Sequence, residues 1–115
     1  MRPRILLILL STIIPLQCVA KDPEGHYTIL SLGTKTCGQV VSDFKEGHTS
    51  KIVNSVRLGG FLTAYNFYIT GVRDISGNTD PAAWDLWINN YCEKNPLDHL
   101  ANAAEALVDE LKSRQ

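Results

Sequence analysis

The cysteines are the residues of this 115-residue chain whose chemistry can be judged first. Cys18 lies at the end of "MRPRILLILLSTIIPLQCVA", where a basic start, an apolar run and small residues follow one another as in a secretory signal peptide. The apolar run is shorter than the roughly 17–25 residues that a membrane-spanning helix needs. We therefore expect residues 1–20 to be a cleaved signal peptide. The alternative is a lipoprotein acylated at Cys18, which the bulky polar Gln17 disfavours.

Cleavage would leave two cysteines, Cys37 and Cys92, in an exported chain. Two cysteines in such a protein usually form a disulfide. The chain has no Cys-x-x-Cys motif and no second cysteine pair for a zinc site. The bridge would close a loop of about 55 residues and stabilise the fold by roughly 4 kcal/mol. We expect a disulfide in a periplasmic or secreted protein, with a buried free thiol as the alternative.

The other reactive side chains form no catalytic or metal-binding motif. The three histidines, His26, His48 and His99, lie in three separate segments without ligand spacing. Carboxylate pairs such as Glu105 and Asp109 have the spacing of a solvated helix face. We therefore expect no enzyme, no catalytic residue, no metal and no cofactor.

One loop, "DISGNTDPAAWD", has the alternating oxygens that a calcium loop requires. They belong to Asp74, Ser76, Asn78 and Asp80, with Asp85 at the twelfth position. Its glycine, Gly77, is at the fourth position instead of the sixth, and Pro81 is at the eighth. A turn followed by a helix cap explains the same residues, so the sequence favours that interpretation and leaves ion binding by this loop open.

Aromatic residues are concentrated in the middle of the chain, at Phe61, Tyr65, Phe67, Tyr68, Trp84, Trp87 and Tyr91. Most of them are expected to pack in the core. Part of the cluster could line a binding groove instead, because Tyr and Trp are favoured in protein interfaces. The candidates for partner binding are Tyr65, Phe67, Tyr68, Trp84 and Trp87. Tyr65 and Phe67 cannot both face inward from one helix.

Charge limits the partners of the mature chain. Removal of Arg2 and Arg4 leaves nine Lys and Arg against twelve Asp and Glu, a net charge of −3. No basic run remains, which disfavours nucleic acid and anionic membrane surfaces as partners. Other proteins are the expected partners, either as clients or as one cognate protein.

The elements that would position these residues are helical. Residues 21–33 contain "HYTILSLG", which has strand-like composition but no second strand to pair with, so we predict an extended lead-in on the core. A short helix would follow, capped by Thr34 or Thr36 and ended by Gly47. Its inner face would comprise Cys37, Val40, Val41 and Phe44.

The second predicted helix starts at a cap on Thr49 or Ser50 and ends at Gly71. Its buried stripe would be Leu58, Phe61, Tyr65, Tyr68 and Val72, which recur at alternating steps of three and four residues. Gly59 and Gly60 interrupt it, which indicates either a kink or the close approach of another helix.

Two further helices complete the prediction. Asp80 caps the third and Pro81 opens it, with an inner stripe of Trp84, Trp87, Ile88 and Tyr91. Asn95 and Pro96 repeat this signal for the fourth, whose stripe would be Leu97, Leu100, Ala104, Leu107 and Leu111. The predicted fold is a small all-α, four-helix domain over residues 34–115, with one disulfide joining the first helix to the third.

Three segments also suggest a family. "TCGQVV" in the first helix and "WINNYCEKNPLDHLANAAEALVDEL" at the end resemble the HdeA/HdeB-like group of small periplasmic helical proteins. "GGFLTAYNFYITG" is similar to the middle helix of the related Tai-type immunity proteins. The resemblance covers the chain from about Thr36 onward. It implies a disulfide between an early and a late helix, here Cys37 and Cys92.

The resemblance also implies two kinds of function. The first is an acid-stress chaperone that loosens at low pH and holds unfolding clients on newly exposed apolar surface. The second is an immunity or inhibitor protein that blocks one specific toxin or hydrolase. Both are non-enzymatic proteins that bind other proteins, and neither defines an oligomeric state for this chain.

Overall fold

The computed structural model describes residues 22–30, 34–69 and 71–115, and the predicted signal peptide lies outside them. Four helices follow in order: α1 (Cys37–Glu46), α2 (His48–Tyr68), α3 (Pro81–Lys94) and α4 (Leu100–Ser113). Within the described ranges there is no β-strand, and Thr36 and His99 form an isolated antiparallel bridge. The all-α, four-helix prediction is confirmed.

Helix α1 begins and ends where the sequence predicts. Thr36 is the N-cap: its hydroxyl accepts from the Gln39 N–H at 3.3 Å, and the Gln39 side chain accepts from the Thr36 N–H at 3.1 Å. This reciprocal pair is a capping box. Gly47 ends the helix with a φ of +129°, a left-handed backbone conformation that favours glycine.

Helix α2 differs from its predicted bounds at both ends. It begins at His48, and Gly47 serves as its N-cap without a side-chain hydrogen bond, so the predicted cap on Thr49 or Ser50 is wrong. A single residue, Gly47, separates α1 from α2. The helix ends at Tyr68, before Gly71, because Ile69 is already extended.

The glycine pair does not mark a helix contact within the chain. A Cβ built at Gly59 or at Gly60 would meet nothing within 4 Å, so of the two predicted alternatives the close approach of another helix is wrong. The helix continues through both residues.

The buried stripe of α2 is Leu58, Leu62 and Tyr65, with Tyr65 only partly buried. The predicted members Phe61 and Tyr68 are exposed, at 39% and 74%. A step of three and a step of four residues both return to the same side of a helix. The buried residues of α2 are separated by four and then by three positions, from Leu58 to Leu62 to Tyr65. Phe61 and Tyr68 therefore lie outside the buried stripe.

Helix α3 follows its prediction. The Asp80 carboxylate accepts from the Ala83 N–H at 2.8 Å, and Pro81 is the first helical residue. Ile88 is buried and Cys92 fully buried, while Trp84, Trp87 and Tyr91 pack against the core with part of each ring accessible.

Helix α4 begins four residues later than predicted. Its N-cap is His99, and residues 95–98 form a turn in which Leu97 is 91% exposed. The reason is tertiary: the Pro96 and Asp98 carbonyls accept from the N–H groups of Gly38 and Cys37, at 3.2 and 2.7 Å. These carbonyls complete the N-terminus of α1. The cap on Asn95 and the buried position of Leu97 are therefore wrong.

The Cys37–Cys92 disulfide is present and joins α1 to α3 across a Cα–Cα distance of 4.6 Å. Both cysteines are fully buried beside the turn that precedes α4. The core around them is formed by Val40, Leu58, Leu62, Ile75, Ile88, Leu100, Ala103, Ala104, Leu107, Val108 and Leu111. The bridge thus connects α1 to α3 at the place where both meet the turn that precedes α4.

None of the helices in the described part of the chain is both long and apolar enough to cross a membrane.

Candidate protein-binding face

The side of α2 that points away from the core carries an exposed apolar surface. Val53, Val56, Gly60, Thr63 and Phe67 recur at steps of three and four residues, which places them on one line along the helix. Ile52, Ala64 and Tyr68 flank that line and are also exposed. We call these eight residues the outer face of α2. Val56 is 72% exposed, Phe67 79% and Tyr68 74%.

Helix α2 is therefore apolar on two opposite sides. Leu58 and Leu62 bury one side in the core, whereas a helix at the edge of a bundle usually has a polar opposite side. No charged residue occurs between Arg57 and Arg73. A contiguous exposed apolar patch of this kind is typical of a surface that binds another molecule.

The two cations of α2 are engaged by their own chain. The Lys51 ammonium lies 4.5 Å from the centroid of the Phe44 ring, and the Arg57 guanidinium donates to the Asn54 side chain at 3.4 Å. Both residues are half-buried. None of the eight residues that form the outer face is charged.

The aromatic candidates divide between this face and the core. Phe67 and Tyr68 form an edge-to-face pair with ring centroids 5.0 Å apart at the end of α2. Tyr65 points toward the core instead, with the Lys112 ammonium 5.2 Å from its ring centroid. A hydrogen bond to Tyr65 raises the pKa of Lys112.

The two tryptophans make contacts within the fold and are not part of the outer face. The Trp84 indole N–H donates to the Thr79 hydroxyl at 2.6 Å, and Trp87 stacks on Tyr91 with centroids 5.7 Å apart. Both lie on α3 and are half-buried. Trp87 and Tyr91 also line a shallow groove of about 260 Å³ that includes Lys94.

Residues 27–30, within the predicted lead-in, lie beside α2 and α4. Residues 27–30 line a cavity of about 280 Å³ together with Leu58, Phe61 and Ala104. The Tyr27 hydroxyl donates to the Glu105 carboxylate, and this bond raises the pKa of Tyr27. The cavity is largely apolar, and residues 27–30 form one of its walls.

Carboxylates connect the helices to one another. The Ser55 hydroxyl of α2 donates to Asp85 of α3. Lys35 forms an ion pair with Asp43 in which both side chains are largely buried. The Asn54 side chain of α2 also donates to Asp43 of α1 at 3.4 Å, so both α1 and α3 contact α2 through a carboxylate.

The loop with alternating oxygens is a turn and a cap. Asp74 accepts from both the N–H and the hydroxyl of Ser76, at 3.0 and 2.6 Å, and these bonds lower the pKa of Asp74. Asp80 caps α3, and Asp85 accepts from Ser55. In the described ranges the one group of three possible metal ligands within reach of each other is Asp22, Glu24 and His26, all exposed.

The sequence prediction identified the aromatic end of the outer face and missed its aliphatic end. Ile52, Val53 and Val56 were not proposed as site residues, although they belong to the same helical line as Phe67. The signal that could have found them is a second apolar stripe on α2, roughly opposite Leu58 and Leu62. A search for a single apolar stripe on each helix does not detect this second stripe of α2.

Comparison with models of protein families, with curated proteins and with solved structures finds no match for this chain. The likeness to HdeA/HdeB-like and Tai-type proteins therefore stays a prediction.

Proposed function

We propose that this is a non-enzymatic, exported protein that binds other proteins through the outer face of α2. The observation that carries the proposal is an uncharged apolar surface exposed on a disulfide-linked bundle. Exposing Phe67, Tyr68 and Val56 to water is unfavourable, and a partner that covers them recovers that free energy. Aromatic side chains also contribute much of the binding energy in protein interfaces.

Export is supported by the disulfide. Structural disulfides form and persist in oxidising compartments and are rare in the cytosol. The Cys37–Cys92 bridge is fully buried and links two helices, as a structural disulfide does. A periplasmic or secreted location follows from the same proposal.

An acid-stress chaperone is the form of this function that the carboxylate contacts favour. Carboxylates lose their charge below about pH 4. A protonated carboxyl group no longer forms an ion pair, so acid would weaken the Lys35–Asp43 pair. The lowered pKa of Asp74 predicts the same effect of acid. It stabilises the folded protein above about pH 4, and this stabilisation is lost as the pH falls through the pKa that Asp74 has in the folded protein.

The test combines an acid titration with a client assay. Fluorescence of an apolar dye is followed from pH 7 to pH 2, and aggregation of an acid-denatured model protein is followed by light scattering. We expect dye binding to rise below about pH 4. We expect Phe67→Glu and Val56→Glu to reduce protection of the client by at least fivefold.

Leu97→Glu is the matched control, because Leu97 is the most exposed leucine of the described residues and lies outside the outer face. It should protect the client as well as the parent does. Equal protection by the parent, Phe67→Glu and Val56→Glu would refute binding through the outer face. No change in dye binding and no protection would refute the chaperone form.

An immunity or inhibitor protein is the second candidate, because the outer face is already exposed in the folded protein. Such a protein would form a tight stoichiometric complex with one partner at neutral pH. Affinity purification from the envelope of its own host, followed by mass determination of the native complex, tests this. Recovery of no stoichiometric partner at pH 7 would refute it.

A further inference from the structure

The cavity between residues 27–30, α2 and α4 has the size and the lining of a small-molecule site. We propose that it binds a straight-chain aliphatic monocarboxylate of about ten carbons, with the carboxylate on Arg57 and the chain between Leu58, Phe61 and Ala104. None of these residues belongs to the outer face of α2. The inference therefore goes beyond the proposed function and does not depend on it.

The cavity is apolar because of the side chains that the two helices contribute to it. Helix α4 provides four residues that lie within about one turn of each other, two of them alanines: Leu100, Ala101, Ala104 and Glu105. The methyl groups of the two alanines occupy little of the space between the helices. On the wall formed by α2, Leu58 is buried, whereas the Phe61 side chain is 39% exposed. A bound aliphatic chain would cover the accessible part of the Phe61 ring.

The volume of the cavity limits the size of the ligand. It is about 280 Å³, nearly twice the roughly 150 Å³ of an apolar cavity that binds benzene. Small-molecule sites in proteins begin at about 300 Å³, which is close to this value. An aliphatic chain of about ten carbons fills such a space. Each CH₂ group that is buried there adds to the affinity.

Arg57 provides the polar group that selects a carboxylate. It lines the cavity, is half-buried, and donates to the neutral Asn54 side chain at 3.4 Å. That contact uses one of the five N–H donors of a guanidinium group. Among the residues that the structure describes, no carboxylate forms an ion pair with Arg57. The two oxygens of a ligand carboxylate match the planar guanidinium group, and the resulting ion pair would hold the ligand by its head group.

The other charged residue of the cavity already has a partner. The Glu105 carboxylate accepts a hydrogen bond from the Tyr27 hydroxyl, which attaches residues 27–30 to α4. Glu105 is exposed, so water and salt screen its charge more than that of the half-buried Arg57. An alkylammonium ion in the cavity would be repelled by Arg57. Carboxylates should therefore bind more tightly than amines of the same chain length.

The test is isothermal titration calorimetry of the full-length exported protein at pH 7 with hexanoate, octanoate, decanoate and dodecanoate. We expect one site per chain and a dissociation constant of about 10–100 μM for decanoate. The dissociation constant should fall by about threefold for each added CH₂ group up to decanoate. It should fall no further with dodecanoate, because the cavity is then filled. Decylamine should bind at least tenfold more weakly than decanoate.

Substitutions test where the ligand lies. Arg57→Gln should raise the dissociation constant of decanoate at least fivefold without weakening the binding of decylamine. Ala104→Leu places a larger side chain in the cavity and should raise the dissociation constant of decanoate at least tenfold. Ala106→Leu is the matched control, because Ala106 is on the same helix but does not line the cavity. Ala106→Leu, and Phe67→Glu on the outer face, should bind decanoate as the parent does.

Circular dichroism establishes that each variant is folded, and Ala101→Leu replaces Ala104→Leu if the latter does not fold. Absence of decanoate binding by the parent would overturn the inference. So would an unchanged affinity for decanoate in folded Arg57→Gln or in the folded cavity-filling variant. Binding that is lost in Phe67→Glu but kept in the cavity-filling variant would place decanoate on the outer face, and this too would overturn the inference. Protein binding through the outer face is tested separately by the client assay.

Discussion

Single hydroxyl–carboxylate contacts hold several of the connections of this protein in place. Tyr91, near the end of α3, donates to Asp98 in the following turn at 2.7 Å. That turn also provides the carbonyls that complete the N-terminus of α1. The Tyr91 hydroxyl is therefore expected to affect more than its own helix.

Replacement Tyr91→Phe removes this hydrogen bond and should lower the free energy of unfolding by about 1 kcal/mol at pH 7. The hydrogen bond to Asp98 raises the pKa of Tyr91 because it favours the neutral phenol. The contribution is therefore complete below about pH 10 and is lost as the pH rises through the raised pKa. Urea unfolding of parent and variant at pH 7 and pH 11 measures both effects. A difference as large at pH 11 as at pH 7 would contradict this assignment.

Two leucines of the predicted fourth stripe have opposite surroundings. Leu107 is buried in the core, whereas Leu97 is exposed in the turn. We expect Leu107→Ala to destabilise the fold by about 2–5 kcal/mol, because it leaves a cavity. Leu97→Ala should change stability by less than about 0.5 kcal/mol. Thermal unfolding of the two variants compares them directly, and similar costs would show that Leu97 is not exposed.

At the scale of elements, the glycines within α2 lower the stability of that helix. Gly59 is helical and has free space around its Cβ position, and it lies beside the outer face instead of at its centre. Glycine costs about 1 kcal/mol relative to alanine within a helix. Nothing in the packing of this chain compensates for that cost at Gly59.

Replacement Gly59→Ala should therefore raise the free energy of unfolding by about 1 kcal/mol. The matched control is Gly77→Ala, because Gly77 also has free space but its φ is +58°. A side chain is strained in that conformation, so the control should lose about 1 kcal/mol. Chemical denaturation distinguishes the two variants, because the free energy of unfolding should rise in one and fall in the other. Destabilisation by Gly59→Ala would show that a neighbouring element contacts the helix there.

At the scale of the whole molecule, the disulfide limits how far the chain can expand when it unfolds. The bridge spans 55 residues, from the first turn of α1 to the last turn of α3. The structure thus places α1, α2 and most of α3 inside one covalent loop. Small domains depend strongly on such a constraint, because their cores are limited.

Removal of the bridge in Cys37→Ala/Cys92→Ala should lower the free energy of unfolding by about 4 kcal/mol. Urea unfolding with and without dithiothreitol measures this. The parent should lose stability on reduction, whereas the double variant should not respond. An unchanged midpoint for the reduced parent would show that the bridge contributes little to the fold.

The amino-acid sequence by itself determined the features of this protein that depend on neighbouring residues. The capping box at Thr36, the Asp80–Pro81 start of α3 and the end of α1 at Gly47 each arise within a few residues. The pairing of Cys37 with Cys92 followed from there being two cysteines after the predicted cleavage site. Local hydrogen bonds and backbone preferences are sufficient to specify such features.

Only the tertiary structure decided which apolar residues of α2 and α4 are buried. Two apolar stripes run along α2, and the position of α3 and α4 selects Leu58 and Leu62 for the core and leaves Phe67 exposed. The start of α4 depends on hydrogen bonds with residues 35–38, more than fifty positions away in the chain. A helical pattern contains no information about such distant partners, because the free energy of burial depends on what packs against each side.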